Sequence, residues 1–368
     1  MKKSTGLLLL ATFFFLFLIF AGVFIAIIAY MVQGSTPNIL GKERLALVRI
    51  VGPIYYEQDW IEQLETYRDD HSVKGIVLEV DSPGGAVGPS QNLYQALHDI
   101  RHEHGKVVVA YFNSVAASGG YYVACEANQI VSTPGAMTGS IGVYAKFMQA
   151  QALLEKIGID YETVKAGKYK DMGSYDRTLT TDERAMMQSV IDDTYEQFVE
   201  AVAQGRRSQV EEVLDSWNAE THGETFPFSP DLTVIIQEYQ QERDRFQARM
   251  ADEAVEDATG ESDESAAPQT LRFRPDDETI LAYVRASAEG KIYTGRQAKT
   301  VGLVDKLGTL DDAIDLAAKL AGMRSDPTVI EQKKEELTLL DLMSSKMSNL
   351  FGLDEAKAQS PIQFRMPY

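Results

Sequence analysis

The chain has 368 residues, enough for one large domain or two small ones, and its 45% hydrophobic content is enough for a real core. A formal net charge of −19 argues against nucleic acid, whose phosphates call for stripes of Lys and Arg, and suits a body that stays clear of anionic lipid headgroups. The single cysteine, Cys125, excludes an internal disulfide and speaks against a cysteine-based metal site, while the five histidines show no metalloprotease spacing. His98-x-x-x-His102 has helical spacing but lacks the glutamate of a zincin helix, and it reads as a solvated face.

Lys2 and Lys3 precede an uncharged, apolar run over residues 6–32. As a helix this run would cover roughly 40 Å, more than the ~30 Å hydrocarbon core of a bilayer. A cleaved secretory signal is the competing reading, yet the apolar part of such a signal is usually about 7–15 residues long. The sequence therefore predicts an uncleaved anchor: residues 1–34 as cytoplasmic tip and membrane helix, 35–44 as linker, and the remainder of the chain outside the cytoplasm.

The next segments alternate between strand and helix. Residues 45–50 form a strand candidate ended by Gly52-Pro53, and 59–67 a short helix. The stretch 75–80 is apolar on both faces, as in a buried parallel sheet, and runs into Asp81-Ser82-Pro83-Gly84-Gly85. Residues 90–101 are helical, with Leu93, Ala96, Leu97 and Ile100 on one face, and 106–111 form a third strand. This order predicts βαβ units with right-handed crossovers. Beyond it come a strand piece at 129–131, the run Thr138-Gly139-Ser140-Ile141-Gly142-Val143, a helix over 147–156 and a strand over 161–164. Thr180-x-x-Glu183 is a capping box opening a long helix to residue 203, stopped by Gly205, with Met187, Val190, Ile191, Phe198 and Val202 as its buried stripe.

Residues 207–278 read as an acidic, partly disordered insertion: 230–250 suits a helix, but 252–264 is acidic with no Lys or Arg. Folded sequence resumes at 279–288, passes through Gly290 to Ala298, and ends in a helix over 311–320. In the tail, 326–368, Leu340, Met343, Met347 and Leu350 make an amphipathic stripe suited to a partner helix or to a membrane surface.

Chemistry concentrates at Val115-Ala116-Ala117-Ser118-Gly119-Gly120-Tyr121-Tyr122, just past the third strand and opening a helix. Small residues let backbone N–H groups face a ligand, and a helix N-terminus adds partial positive charge, which suits a nucleophilic oxygen whose product is an oxyanion. Gly84 and Gly85, at a strand's carboxyl end, allow a second close backbone approach. A serine nucleophile needs a proton acceptor, and no histidine sits suitably at a strand end. A lysine held neutral by burial can serve, which leaves Lys168 and Lys170 as candidates, each also readable as an ordinary surface lysine.

In order along the chain, Asp81-Ser82-Pro83-Gly84-Gly85, Ala116-Ala117-Ser118-Gly119-Gly120-Tyr121, Thr138-Gly139-Ser140-Ile141-Gly142, Gly167-Lys168-Tyr169-Lys170-Asp171 and Tyr293-Thr294-Gly295-Arg296-Gln297-Ala298 resemble the signal peptide peptidase A family of membrane-anchored serine proteases. The resemblance covers about 45–206 and 279–322 and implies a peptidase domain of 45–206 plus 279–325, with an α/β fold of the ClpP and crotonase type. It implies Ser118 as nucleophile, Lys170 rather than Lys168 as general base, Ser140 as the residue orienting the lysine, and the Gly85 and Gly119 N–H groups as oxyanion donors. It further implies apolar extended peptides such as released signal peptides as substrates, a single-pass place in the cell membrane, and a homo-oligomeric ring with sites between neighbouring subunits; with no metal-site or phosphate-loop signal in the sequence, no cofactor or metal is expected. The long link over 207–277 departs from the family pattern. Rival readings are a crotonase-type acyl-CoA enzyme, which would want an unanchored chain and a carboxylate acid/base, and a membrane scaffold with a dead site. Because a free lysine has a pKa of about 10.4, the base must sit where the cation is disfavoured. Alternation along an extended segment is expected to turn Asp171 away from Lys170.

Overall fold

The computed structural model describes residues 17, 20, 21, 43–217, 230–258, 273–323 and 327–332. The chain divides into two units, 1–43 and 44–368. Of the first, Phe17, Phe20 and Ala21 are helical, and the rest of the expected anchor over 6–32 lies outside the described residues. Among the described residues no helix is long and apolar enough to cross a membrane. The amphipathic stripe from Leu340 to Leu350 also lies outside them.

The second unit is built on an eight-stranded sheet. Its elements run β1 (Arg44–Val51), α1 (Gln58–Asp69), β2 (Val73–Ser82), α2 (Val87–His102), β3 (Val107–Ala117), α3 (Gly119–Ala124), β4 (Gln129–Ser132), β5 (Met137–Gly139), α4 (Gln151–Lys156) and α5 (Thr181–Gly205). They continue as α6 (Arg207–Ser216), α7 (Pro230–Ala258), α8 (Asp277–Ser287), β6 (Ile292–Thr294), α9 (Gly295–Thr300), β7 (Lys306–Leu307), α10 (Leu310–Leu320) and β8 (Thr328–Glu331). The strand order is β6-β5-β3-β2-β1-β8, with β4 joining β3 to β7. All pairings are parallel except β5 with β6, as the alternation of strands and helices leads one to expect.

Successive side chains in a strand point to opposite faces, and both faces are covered. Ala46, Val48 and Ile50 of β1, Ile76, Leu78 and Val80 of β2, and Val108, Ala110 and Phe112 of β3 share one large cluster with α1, α2, α3, α5 and α8. Leu45, Leu47, Val77, Val109 and Tyr111 face the other way, onto Ala313, Leu316, Ala317 and Ala318 of α10. Fully burying one such aliphatic side chain contributes about 1.5–3 kcal/mol, so the centre of the sheet is the most stable part of the fold. Strand β3 serves two neighbours. Val109 to Phe112 pair with β4, and Val115 to Ala117 pair with β5. The register against β2 jumps from Val80↔Phe112 to Ser82↔Ala116, an irregularity that bends the end of β3 and re-aims the turn into α3.

Several expectations need correction. No strand forms at 161–164, and the helix expected over 147–156 is confined to Gln151–Lys156. The capping box at Thr180 and Glu183 forms in full, but Val190 is 43% exposed rather than buried, because the first half of α5 projects beyond the core. The region 207–278 is not loose throughout. Helix α6 buries Val210 and Leu214, and α7 buries Leu232, Ile236 and Tyr239 in the main cluster. Helix α7 continues to Ala258, into the acidic tract expected to be disordered. The start of the tail is a strand, β8, paired with β1.

Gly205 is the last residue of α5, and its φ is not positive, so it is not a left-handed helix stop. It is there for space: a Cβ on it would lie 2.2 Å from the Cys125 carbonyl oxygen. The next residue, Arg206, is fully buried and pairs with Asp305 at 2.6 Å, so backbone adjustment at this joint is constrained. Gly205→Ala is therefore expected to destabilise the fold by about 1–3 kcal/mol, read as a lowered urea midpoint. An unchanged midpoint would show that the joint is soft.

Candidate active site

Ser118 caps α3 with φ 55° and ψ −123°, a conformation that L-residues rarely adopt. Three neighbours hold it there. Its backbone N–H donates to the Gly139 carbonyl at 2.8 Å, and its own carbonyl accepts from Tyr122 at 2.8 Å. From the side, Gly84 (φ 94°) packs so closely that a Cβ on it would lie 2.6 Å from the Gly119 nitrogen and 2.9 Å from the Ser118 Cβ. The side chain is fully enclosed, and its Oγ, buried, has no hydrogen-bond partner among the described residues. A buried hydroxyl without a partner is costly, so the position is not explained by stability alone.

Gly85 meets Gly119 across this joint, since a Cβ on Gly119 would lie 3.2 Å from the Gly85 nitrogen. Gly85 is fixed by a bridge to Ile54, in which Ile54 N–H donates to the Gly84 carbonyl and Ala86 N–H donates to the Ile54 carbonyl. That pairing leaves the Gly85 N–H outside it. The Gly119 N–H, at the first turn of α3, is one of the donors that a helix cannot satisfy internally. Neither glycine tolerates a side chain: a Cβ would fall 2.1 Å from the Ile54 carbonyl oxygen at Gly85 and 2.4 Å from Ser90 Oγ at Gly119. Ile54 and Ser90, which form these walls, carry no motif in the sequence.

Ser140 is buried, with φ 53°, and its N–H donates to the Lys291 carbonyl at 2.6 Å. It comes directly after Gly139, whose carbonyl holds Ser118, so both serines hang on one two-residue turn. Gly139 is itself forced, because a Cβ there would meet Lys291 and the Tyr293 ring at 2.8 Å.

Lys170 makes no hydrogen bond to Ser118, whose Oγ has no partner among the described residues. Lys170 is exposed, in a turn where its N–H donates to the Gly167 carbonyl at 3.3 Å. Lys168 is exposed too, and its amine donates to Asp182 at 2.5 Å and lies 4.9 Å from the Tyr169 ring centroid. The Asp182 hydrogen bond, with Tyr169 beside it, raises the Lys168 amine above its ordinary range and fixes it as a cation. The segment around Lys170 is a series of turns, so strand alternation does not set the direction of Asp171. Its carboxylate accepts from Lys165 and, at 3.0 Å, from Arg177 Nε. The Arg177 guanidinium, with Lys165, holds Asp171 well below the usual carboxylate range. Arg177 also grips Glu183 with both Nη atoms, at 2.8 and 2.6 Å, and with the Thr180 capping bond this lowers Glu183 to about 2. The Lys170 loop is thus riveted to the N-terminus of α5 through Arg177, a residue that no sequence signal singled out.

A strained serine at a helix start, beside the backbone nitrogens of two glycines, is an arrangement suited to acyl transfer. Comparison with known proteins narrows the class. Peptidase family S49 matches residues 100–222 and 279–324, leaving α7 between the matched blocks and α6 inside the first. A relative from Synechocystis sp., provisionally named a protease, is 29% identical, covering 86% of this chain and 90% of its own. One from Methanocaldococcus jannaschii, also provisionally named a protease, is 28% identical, covering 91% and 88%. A third, from Enterococcus faecium, carries the provisional name signal peptide peptidase SppA and is 28% identical over 76% of this chain and 60% of its own. Over residues 100–222 and 279–324 the chain is similar to Peptidase family S49, and this likeness supports a peptidase function.

Backbone strain of the kind seen at Ser118 costs about 1–3 kcal/mol. Replacing Ser118 with glycine relieves it and, after the greater chain entropy of glycine, is expected to raise unfolding stability by about 1 kcal/mol in urea titration. A fall of that size in Ser118→Gly would show that the conformation is not strained.

Proposed function

We propose that the protein is a serine endopeptidase in which Ser118 attacks the peptide carbonyl and Lys170 takes its proton. The Gly85 and Gly119 N–H groups receive the oxyanion, and Ser140 orients the lysine. The observation that carries this reading is the Ser118 joint: a strained, buried hydroxyl without a partner, flanked by glycines that admit no side chain. The family match favours it over a crotonase-type acyl-CoA enzyme.

The fold is of the ClpP and crotonase type on this reading, and a helix over 6–32 anchors the chain in the cell membrane with the peptidase domain outside the cytoplasm. Since Lys170 makes no hydrogen bond to Ser118 in one chain, the dyad is completed by Lys170 of a neighbouring copy in a homo-oligomeric ring. Exposed apolar side chains support such a contact: Met148, Leu153, Ile157 and Val164 are 58–93% exposed on the same segment that carries Lys170. Isolated apolar residues on a surface need no explanation, but this many in one arm mark an interaction face. Because Ser118 is enclosed, a peptide enters only when the joint opens locally. The substrates are apolar, extended peptides such as released signal peptides, and the chemistry uses no cofactor.

The pH dependence carries a sign. A lysine must be neutral to accept a proton, so activity rises with pH through a single deprotonation. Lys168 is already engaged by Asp182 at 2.5 Å. A serine-directed fluorophosphonate should label Ser118 and no other serine. Lys170→Met should abolish labelling and peptide hydrolysis, by at least about a hundredfold, while Lys168→Met stays within a few-fold. Normal turnover in Lys170→Met with loss in Lys168→Met would overturn the choice of base, and labelling elsewhere would overturn the nucleophile.

A further inference from the structure

Helices α2 and α3 start at the candidate active site and end together on the far side. Helix α2 begins two residues after Gly85, and α3 begins at Gly119. Their other ends bring together His98 and His102, one turn apart at the end of α2, and Glu126, two residues beyond α3. One ligand atom from each lies within 4.8 Å of the other two, and among the described residues no other three side chains of metal-binding type are so placed. His102 Nε2 is 2.7 Å from Glu126 Oε1, and the two imidazole rings lie 4.4 Å apart, centre to centre.

Two features go beyond what a solvated helix face requires. His98 Nδ1 is buried without a hydrogen-bond partner, its nearest charged atom being an Asp99 carboxylate oxygen at 3.7 Å, beyond bonding reach. Glu126, a carboxylate, is almost completely buried, its side chain 3% exposed. Arg101 donates to its Oε1 at 3.2 Å and to its backbone carbonyl at 2.7 Å, which fixes the carboxylate as outer partners fix a metal ligand. Zinc binds imidazole nitrogen and carboxylate oxygen at about 2.0–2.2 Å, so two ligands on one ion stand roughly 3.3 Å apart. The separations in the cluster, 2.7 Å for one pair and none above 4.8 Å, bracket that spacing. The His102 side chain is 48% exposed, which leaves a fourth position open to water.

We propose that His98, His102 and Glu126 bind a divalent transition metal of the zinc type, with water as fourth ligand, and that the ion clamps the far ends of α2 and α3. The clamp lies beyond the far end of α3, a helix of six residues or about 9 Å, and is not part of the Ser118 joint, so it takes no part in the chemistry there. It ties together the two helices whose near ends carry Gly85 on one side and Ser118 with Gly119 on the other. The Arg101 cation competes with the ion for Glu126, which keeps affinity below that of a closed four-ligand structural site.

The test uses the full-length, tag-free chain carrying Ser118→Ala, stripped with EDTA and titrated with Co2+, so that no outcome depends on peptidase activity. Co2+ should bind with one equivalent and give the intense visible bands of four-coordinate cobalt, and Zn2+ should displace it and raise the Tm. His102→Gln, on a partly exposed residue, should keep its metal-free Tm and weaken Co2+ binding at least about tenfold, whereas His71→Gln should leave it unchanged. Glu126→Gln serves as second variant, with its metal-free Tm as the folding control. No four-coordinate bands in the parent chain, or equal binding in His102→Gln, would overturn the assignment.

Discussion

The central constraint is steric. Segments 84–85 and 118–119 meet closer than a Cβ on Gly84 or Gly119 allows, segment 139–140 joins them through the Ser118 N–H bond to the Gly139 carbonyl, and glycine at 85 and 139 makes room for Ile54 and for Lys291 with Tyr293. The meeting holds Ser118 at φ 55° and places the Gly85 nitrogen against Gly119. Each segment is delivered by the sheet. The parallel register of β1, β2, β3 and β5 ends the strands on one side, and the bridge from Ile54 closes the edge. A large core of buried apolar residues therefore stabilises a joint that is locally unfavourable, the usual balance where strain serves function.

A second constraint is electrostatic. The segment carrying Lys170 has little core of its own and exposes several apolar side chains, yet Arg177 pins it to the capping turn of α5. That grip draws the carboxylates Asp171 and Glu183 onto one guanidinium. Lys168 is committed to Asp182, so the two lysines of one turn sit in different settings, although in sequence they are two residues apart.

Much of this was legible from residues. Strand and helix periods in 45–111 pointed to the parallel sheet, because those segments are long and decisively patterned, and the capping box at Thr180 formed as read. The clustering of Gly84, Gly85, Ser118 and Gly119 was foreseeable from small residues at strand ends. What escaped had no local signal. The strand expected at 161–164 fails because Tyr161 and Val164 have no sheet edge to join and stay exposed. The helix at 230–250 was legible, but its burial in the core and that of α6 were not, because their charge obscured the few apolar residues, Val210, Leu214, Leu232 and Ile236, that bury them. His98 and His102 looked solvated because Glu126, their third neighbour, is 24 residues away from His102. Arg177, Ile54 and Ser90 matter only through contacts, which composition does not encode.

The account stands on the claim that Ser118 and Lys170 of different copies make one site, and mixing tests it directly. Chains carrying Ser118→Ala and chains carrying Lys170→Met, each inactive alone, should be co-expressed and assayed for peptide hydrolysis. In a ring of head-to-tail contacts, random assembly pairs an intact Ser118 with an intact neighbouring Lys170 at about a quarter of the sites, so activity should return to about that fraction. A mixture that stays as inactive as its parents, while wild-type chains carried through the same procedure hydrolyse peptide, would contradict a site shared between subunits.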